Sequence, residues 1–239
     1  MASSSTSNSS KDTIAKYIPL YRAIRRGDWE KAEEIFNGDE DALTAKIDAS
    51  GNSALHIAIN MRKNIQFVEN LLKKMNPETF PTLVNEEQRN VLHNAAVVGN
   101  IKAAKMVVNE NSSLLFIPDV EQCLPIHRAI LNCHIETFQY LLQVSEQYKG
   151  HFLQEGYCYS PFQGEFGIML IDNVINGGLY DVAYMLITKY PELARTKNGS
   201  FIPLKSIANK RDARDAYFSS TGYNIYQRFV YFCMFSHLF

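Results

Sequence analysis

Six short windows of one pattern recur along the sequence at nearly constant spacing. The windows are IPLYRA (18–23), SALHIA (53–58), NVLHNA (90–95), LPIHRA (124–129), IMLIDN (168–173) and IPLKSI (202–207). The third position of each is aliphatic, and successive third positions are 35, 37, 34, 44 and 34 residues apart. A period of this size is typical of a solenoid, in which each unit is too short to bury its own apolar face and stacks on its neighbours.

A second apolar stretch follows most windows and has the spacing of a packed helix. The stretches are FVENLL (67–72), AAKMVV (103–108), TFQYLL (137–142) and DVAYML (181–186). Their apolar residues fall at i, i+1, i+4 and i+5, which favours a helix. Gly27, Gly99 and Gly177 lie between window and stretch, where glycine allows the left-handed backbone that reverses the chain. We therefore expect an all-α fold of helix pairs, with little extended structure in the turns.

Three of the windows resemble the start of the ankyrin repeat. SALHIA, NVLHNA and LPIHRA each follow a polar turn, at 48–52, 85–89 and 119–123. The ankyrin pattern runs from a turn through T-P-L-H-x-A and a glycine turn to a second helix that ends in two leucines. The resemblance implies an ankyrin-repeat solenoid of five to six repeats over residues 13–208, with the last one degenerate. The chain departs from the pattern where Arg62 and Cys133 replace the turn glycine and where Ile171 replaces the histidine.

The two ends of the chain differ in composition from the repeats. Residues 1–12 are mostly serine, threonine and asparagine, which favours a disordered tail. Residues 209–239 are rich in aromatic side chains and are predicted to form a linker or a cap on the last repeat. The first residues show no apolar leader, so we expect a cytoplasmic protein whose four cysteines stay reduced.

Residues 161–231 show a narrower resemblance, to plant ankyrin proteins that carry a C-terminal PGG membrane domain. The matching residues are Phe162, Gly164, Gly167, Leu170, Tyr180, Asp181, Ala183, Leu186, Pro191, Leu193 and Ala194, followed by FIPLKSIA (201–208) and YQRFVY (226–231). The resemblance implies plant stress or defence signalling, in the cytoplasm or at the inner face of the plasma membrane. Membrane attachment would require the PGG domain, which this sequence does not contain.

Stacked repeats present a long face without a deep pocket, which suits a protein partner better than a small-molecule substrate. The net charge of −1 argues against a bulk nucleic-acid binder. We expect a non-enzymatic interaction module, a scaffold or regulator, whose partner the sequence does not identify. The candidate contacts are polar residues in the turns, where we expect solvation rather than packing to determine the residue type. Solubility alone also explains each one. They are Asn52, Glu87, Gln88, Arg89, Glu121 and Gln122.

Histidines and cysteines invite two chemical interpretations. His56, His93 and His127 recur one repeat apart, too far to share an ion at bond lengths of about 2 Å. We therefore expect no metal and no other cofactor, and we expect each histidine to hydrogen-bond a loop and fix its turn. Cys133 and His134 are adjacent, so an enzyme with a cryptic Cys/His site is the alternative function.

The interval between the fourth and fifth windows is the longest and carries six aromatic residues and three glycines between 143 and 166. Such a segment can form an exposed recognition loop. The other interpretation, which we favour slightly, is that it folds back onto the fourth and fifth repeats.

Overall fold

The computed structural model describes residues 12–154 and 159–194, and the chain divides into two compact units, residues 1–155 and 156–239. The predicted tail, apart from the helical Asp12, lies outside the described residues, and so do the sixth window and the C-terminal cap. The domain boundaries at 13–208 and 209–239 therefore stay predictions.

The first unit holds four successive helix pairs, each made of an inner helix and an outer helix. Short 3₁₀ helices follow the first three outer helices, at Glu40–Leu43, Pro77–Thr82 and Ser112–Phe116. The inner and outer helices alternate as α1 (Ile18–Arg26), α2 (Trp29–Gly38), α3 (Ala54–Met61), α4 (Ile65–Lys74), α5 (Val91–Val98), α6 (Ile101–Glu110), α7 (Pro125–Leu131) and α8 (Ile135–Gln154).

The helix pairs stack, with each inner helix packed on the next and the outer helices α4, α6 and α8 packed likewise. The aliphatic third positions of the windows form the core: Leu20, Leu55 and Leu92 are fully buried. The alanine that ends each of these windows is also buried. A larger side chain at this position would hold neighbouring inner helices apart. The predicted all-α repeat fold is confirmed. In the described residues the extended structure is limited to an isolated bridge between Val84 and Asn90.

Left-handed residues reverse the chain between the two helices of each pair in this unit. Gly27 and Gly99 have φ of 72° and 68°, as predicted. Arg62 and Cys133, at the equivalent positions of the second and fourth pairs, adopt φ of 54° and 58° without being glycine.

The second unit contains α9 (Gly164–Asn176), α10 (Tyr180–Lys189) and a short 3₁₀ helix at Pro191–Ala194. The prediction of a left-handed turn at Gly177 is wrong, because its φ is −73° and the next residue, Gly178, takes the left-handed role with φ of 76°. Gly167 is a close-packing position, since a Cβ there would collide with Leu193.

The aromatic interval is structured where it is described. Its first part, to Gln154, continues α8 as helix. In its last part Phe162 is buried and stacks on Tyr190, with ring centroids 4.7 Å apart, whereas Tyr159 is 40% exposed. Packing within the second unit therefore accounts for Phe162.

Candidate protein-binding surface

Three polar turns precede the inner helices α3, α5 and α7, at residues 48–52, 85–89 and 119–123, and we call them the turn row. Asp48, Asn85 and Asp119 begin these turns and have the same role. The Oδ1 atom of each accepts hydrogen bonds from the backbone N–H groups two and four residues further on, at 2.8–3.0 Å. A side-chain acceptor of this kind fixes a tight turn. The three turns therefore share one conformation.

Neighbouring turns are bonded to each other. The backbone N–H of Glu86 donates to Ser50 O at 3.0 Å, and that of Val120 donates to Glu87 O at 3.1 Å. Asn85 Nδ2 adds a bond of 3.1 Å to Asn52 Oδ1. These cross-links make the turn row a continuous surface that a partner could contact as a unit.

Buried histidines attach the inner helices to the turn row. His56 Nδ1 accepts from the backbone N–H of Ser53 at 3.3 Å, so its Nε2 carries the proton and donates to Arg89 O at 3.0 Å. His93 repeats the arrangement with Asn90 N–H and with Cys123 O, at 3.2 and 2.9 Å. Each of these two histidines thus holds the turn of the following repeat, as predicted.

Burial favours the neutral form of both rings. It lowers the pKa of His56 and of His93 to about 4, although the carbonyls of Arg89 and Cys123 act in the opposite direction. At neutral pH the two imidazoles are therefore uncharged hydrogen-bonding links.

A second set of cross-links joins the turns between inner and outer helices. Asn64 Nδ2 donates to Gly27 O at 3.4 Å, and Asn100 Nδ2 donates to Ile59 O at 3.0 Å. His134 Nε2 takes the corresponding role with Val97 O at 2.9 Å. Hydrogen bonds thus connect both ends of the inner helices to a neighbouring repeat.

An ion-pair cluster lies beneath the third turn. Asp119 is buried and accepts from Arg128 Nε at 2.6 Å, while Arg128 Nη1 lies 3.2 Å from Glu121. Burial by itself raises the pKa of Asp119, but the hydrogen bonds from Arg128 and from Cys123 N–H outweigh it and lower the pKa overall. Arg89 joins from the second turn, with its Nε 3.6 Å from Asp119. The cluster couples the second and third turns electrostatically.

The predicted contact residues all lie on the turn row, but they differ in exposure. Glu87, Gln88, Glu121 and Gln122 are exposed, and Arg89 is half-buried. Asn52 is only 8% exposed.

The expectation that solvation sets the residue type is wrong for Asn52. Its Nδ2 donates to Asp48 at 2.9 Å, and its Oδ1 accepts from Asn85. Val120, which is 60% exposed at the tip of the third turn, was not among the predicted contact residues. An apolar residue inside an otherwise polar turn is the signal that could have identified it.

In the alternative enzymatic site, His134 is held in structural contacts. Cys133 is exposed in its left-handed turn, and the His134 ring covers Gly99, where a Cβ would lie 2.5 Å from His134 Nδ1. His127 is buried, and its Nδ1 accepts from Leu124 N–H at 2.9 Å. No group of three or more histidine, cysteine or acidic side chains within residues 12–154 and 159–194 is placed to hold a metal ion.

None of the described helices is both long enough and apolar enough to cross a bilayer. Residues 61–150 match the family model of ankyrin repeats, as three copies. This stretch runs from the end of α3 into α8 and contains the second and third turns. Within residues 61–150, the helix pairs described above are ankyrin repeats. Ankyrin repeats are protein-interaction modules.

Among solved structures, the chain is similar to a chain in the crystal structure of the yeast ribosomal protein Rps3 in complex with its chaperone Yar1. The identity is 25%, the TM-score is 0.47, and the match covers 52% of this chain and 89% of that one. No curated protein matches the chain.

Proposed function

We propose that the chain is a non-enzymatic scaffold or regulator that binds a protein partner through the turn row. The observation that carries the proposal is the cross-linked row itself: three turns of one conformation, joined by backbone hydrogen bonds, with Glu87, Gln88, Val120, Glu121 and Gln122 exposed along it. Because the backbone of the row is already fixed by these hydrogen bonds, binding costs little additional backbone entropy. Catalysis is not part of the proposal, because Nε2 of His134 bonds Val97 O and Nδ1 of the same ring packs against Gly99.

Gln88 and Gln122 are the best probes of the turn row. Glu87 and Glu121 pair with Arg89 and Arg128, so reversing their charge would disturb the fold as well as the surface. The two glutamines are exposed and lie at equivalent positions, both with positive φ. Lysine in place of glutamine keeps a side chain of similar build and adds a charge that a complementary partner surface would reject.

The test uses three baits in a plant cell extract: the unaltered chain, Gln88→Lys with Gln122→Lys, and the matched control Gln139→Lys with Gln143→Lys on the exposed face of α8. A captured protein is then purified and its dissociation constant measured with each bait. We expect binding at least ten-fold weaker with the turn variant and unchanged with the control. Equal affinity for all three would move the binding surface away from the turn row, and the absence of any specific partner would contradict the proposal.

We also propose plant stress or defence signalling as the setting, in the cytoplasm or at the inner face of the plasma membrane. The support for it is the resemblance of residues 161–231 to plant ankyrin proteins with a PGG domain. Sequencing the transcript past the codon for Phe239 tests the link. Several membrane-spanning segments encoded there would support it, and a transcript without them would contradict membrane attachment.

A further inference from the structure

Five exposed basic side chains lie at one end of the first unit. Arg22, Arg25 and Arg26 are on the last two turns of α1, and Arg62 and Lys63 directly follow α3. The ion pairs among the described residues use other cations. These five charges are therefore available to an external anion.

The two groups of cations are neighbours in space. Asn64, one residue past Lys63, donates to Gly27 O, one residue past Arg26, at 3.4 Å, and α1 packs on α3. Asp28 is the acidic residue of this turn, but it accepts from Lys31 N–H and pairs with Lys31 Nζ at 2.9 Å. The Lys31 hydrogen bonds are the main cause of the lowered pKa of Asp28, and the charge of Arg26 contributes less, so Asp28 offsets the cluster only in part.

The same edge becomes apolar in the later repeats. We call the C-terminal ends of the inner helices, at residues 25–26, 60–61, 97–98 and 131–132, the helix-end row. The residue pairs are Arg-Arg on α1, Asn-Met on α3 and Val-Val on α5. The fourth pair is the last residue of α7, Leu131, and Asn132 directly after it. Val97 and Val98 are partly exposed, and Leu131 is 50% exposed. The row therefore changes from cationic to apolar along the stack.

The length of the row suits a short peptide segment. Three steps between packed helices of 8–10 Å each give roughly 24–30 Å from α1 to α7. An extended chain covers that distance with about eight residues at ~3.3 Å per residue.

We infer that the helix-end row binds a segment of a partner protein that carries acidic residues at one end and apolar residues at the other. This inference rests on the proposed function and names the chemistry of the partner. The acidic end lies against Arg25, Arg26 and Lys63, and the apolar end covers Val97, Val98 and Leu131. Charge complementarity fixes the direction of the segment, because the opposite direction would place carboxylates on the apolar repeats.

The arrangement does not favour nucleic acid or an anionic membrane. A phosphate backbone needs a continued track of cations, and the positive charge here ends after the second repeat. At the C-terminal end of α7, the exposed residues are Leu131, Asn132 and Cys133, and none of them is basic.

The test selects binders of the full chain from a displayed library of random peptides of about 12 residues, a length that spans the row. The selected peptides are labelled, and their affinities are measured with Arg25→Glu/Arg26→Glu and with Leu131→Ser. The matched control is Lys102→Glu/Lys105→Glu on α6, which makes the same change in net charge at two exposed lysines of an outer helix. Melting temperatures confirm folding, and Arg25→Ala/Arg26→Ala serves as a milder variant if the double reversal does not fold.

We expect selected peptides with clustered Asp or Glu at one end and apolar residues at the other. Their affinity should fall at least ten-fold with Arg25→Glu/Arg26→Glu and less than two-fold with the control. Salt should weaken binding to the unaltered chain more than to the arginine variant, because exposed ion pairs are screened. Leu131→Ser should weaken binding about three-fold without changing its salt dependence.

Peptides without an acidic cluster, no enrichment at all, or affinities that Arg25→Glu/Arg26→Glu leaves unchanged would overturn the inference. Tighter binding of single-stranded oligothymidine, or of phosphatidylserine vesicles, than of the peptides would do the same. Peptides that are lost with Gln88→Lys/Gln122→Lys but not with the arginine variant would overturn the inference while supporting the proposed function. The proposed function fails separately, if no protein from the extract depends on the turn row.

Discussion

At the scale of single residues, left-handed backbone explains several side chains that the repeat pattern leaves ambiguous. Gly99 has φ of 68° and faces the His134 ring, so it has both a conformational and a steric reason to be glycine. Cys133 has φ of 58° at the equivalent position and already tolerates a side chain. The cost of a non-glycine residue in this conformation is about 1–2 kcal/mol.

Substitutions at these two positions should therefore act in opposite directions. Gly99→Ala should lower the free energy of unfolding by about 2–3 kcal/mol, because it adds backbone strain and displaces the ring that bonds Val97 O. Cys133→Gly should raise it by about 0.5–1 kcal/mol, since relief of strain exceeds the entropy that glycine adds to the unfolded chain. Urea unfolding measures both. Destabilisation by Cys133→Gly would contradict the backbone argument.

The buried histidines should make stability depend on pH. The unfolded imidazoles bind protons below pH 6.5, whereas the folded rings of His56 and His93 stay neutral down to about pH 4. The unfolded state then binds more protons, so stability is complete above pH 6.5 and falls as the pH drops. The two rings together predict a loss of about 3 kcal/mol between pH 6.5 and 5.

His56→Gln isolates one of the two rings. The variant should be less stable at pH 7, because the link to Arg89 O is altered, and it should lose only about half as much stability over the same range. Denaturant unfolding at a series of pH values provides the measurement. A loss as large as that of the unaltered chain would show that other groups cause the pH dependence.

At the scale of elements, one carboxylate of the turn row has two structural roles. Asp119 both fixes its own turn and neutralises Arg128, which is buried. Asn85 fixes the preceding turn in the same way without a charge. The comparison separates the hydrogen-bonding role of this position from its electrostatic role.

Asp119→Asn should keep the turn and lose the ion pair. The variant leaves buried Arg128 with exposed Glu121 as its acidic partner, and loss of a buried partner costs about 3–5 kcal/mol. Asn85→Ala, which removes the hydrogen bonds within its turn and the bond to Asn52 but no charge, should cost about 1–3 kcal/mol. The double variant Asp119→Asn/Arg128→Met should recover part of the loss, because no charge is then left buried. Thermal and urea unfolding test the series, and a loss below about 1 kcal/mol for Asp119→Asn would rule out the ion pair as a stabilising contact.

Sequence patterns predict the elements well and the side-chain clusters poorly. Window spacing places the inner helices and their buried leucines, because the hydrophobic period is a local property. The pairing of Asp119 with Arg89 depends on how two turns stack, and the burial of Asn52 depends on contacts with Asn85 and Asn94 of the next repeat. The left-handed turn was predicted at Gly177 but lies at Gly178, because either glycine can adopt it and the repeat spacing does not distinguish them.

At the scale of the molecule, the first unit is a stack of repeats in which hydrogen bonds run between neighbours on both sides of the inner helices. Such an array is stabilised by interfaces between neighbouring repeats, and its surfaces are rows rather than pockets. Such a row is where we propose that the chain binds a protein.

The most direct test replaces Val120, the exposed tip of the third turn, with a photo-crosslinking benzoylphenylalanine. The matched control carries the same residue at Gln139, on the exposed face of α8. Each chain is irradiated in a cell extract, and adducts are identified by mass spectrometry. The turn-row account predicts a discrete protein adduct from position 120 that position 139 does not form and that Gln88→Lys/Gln122→Lys removes. The same adducts from both positions, or adducts from position 139 alone, would contradict it.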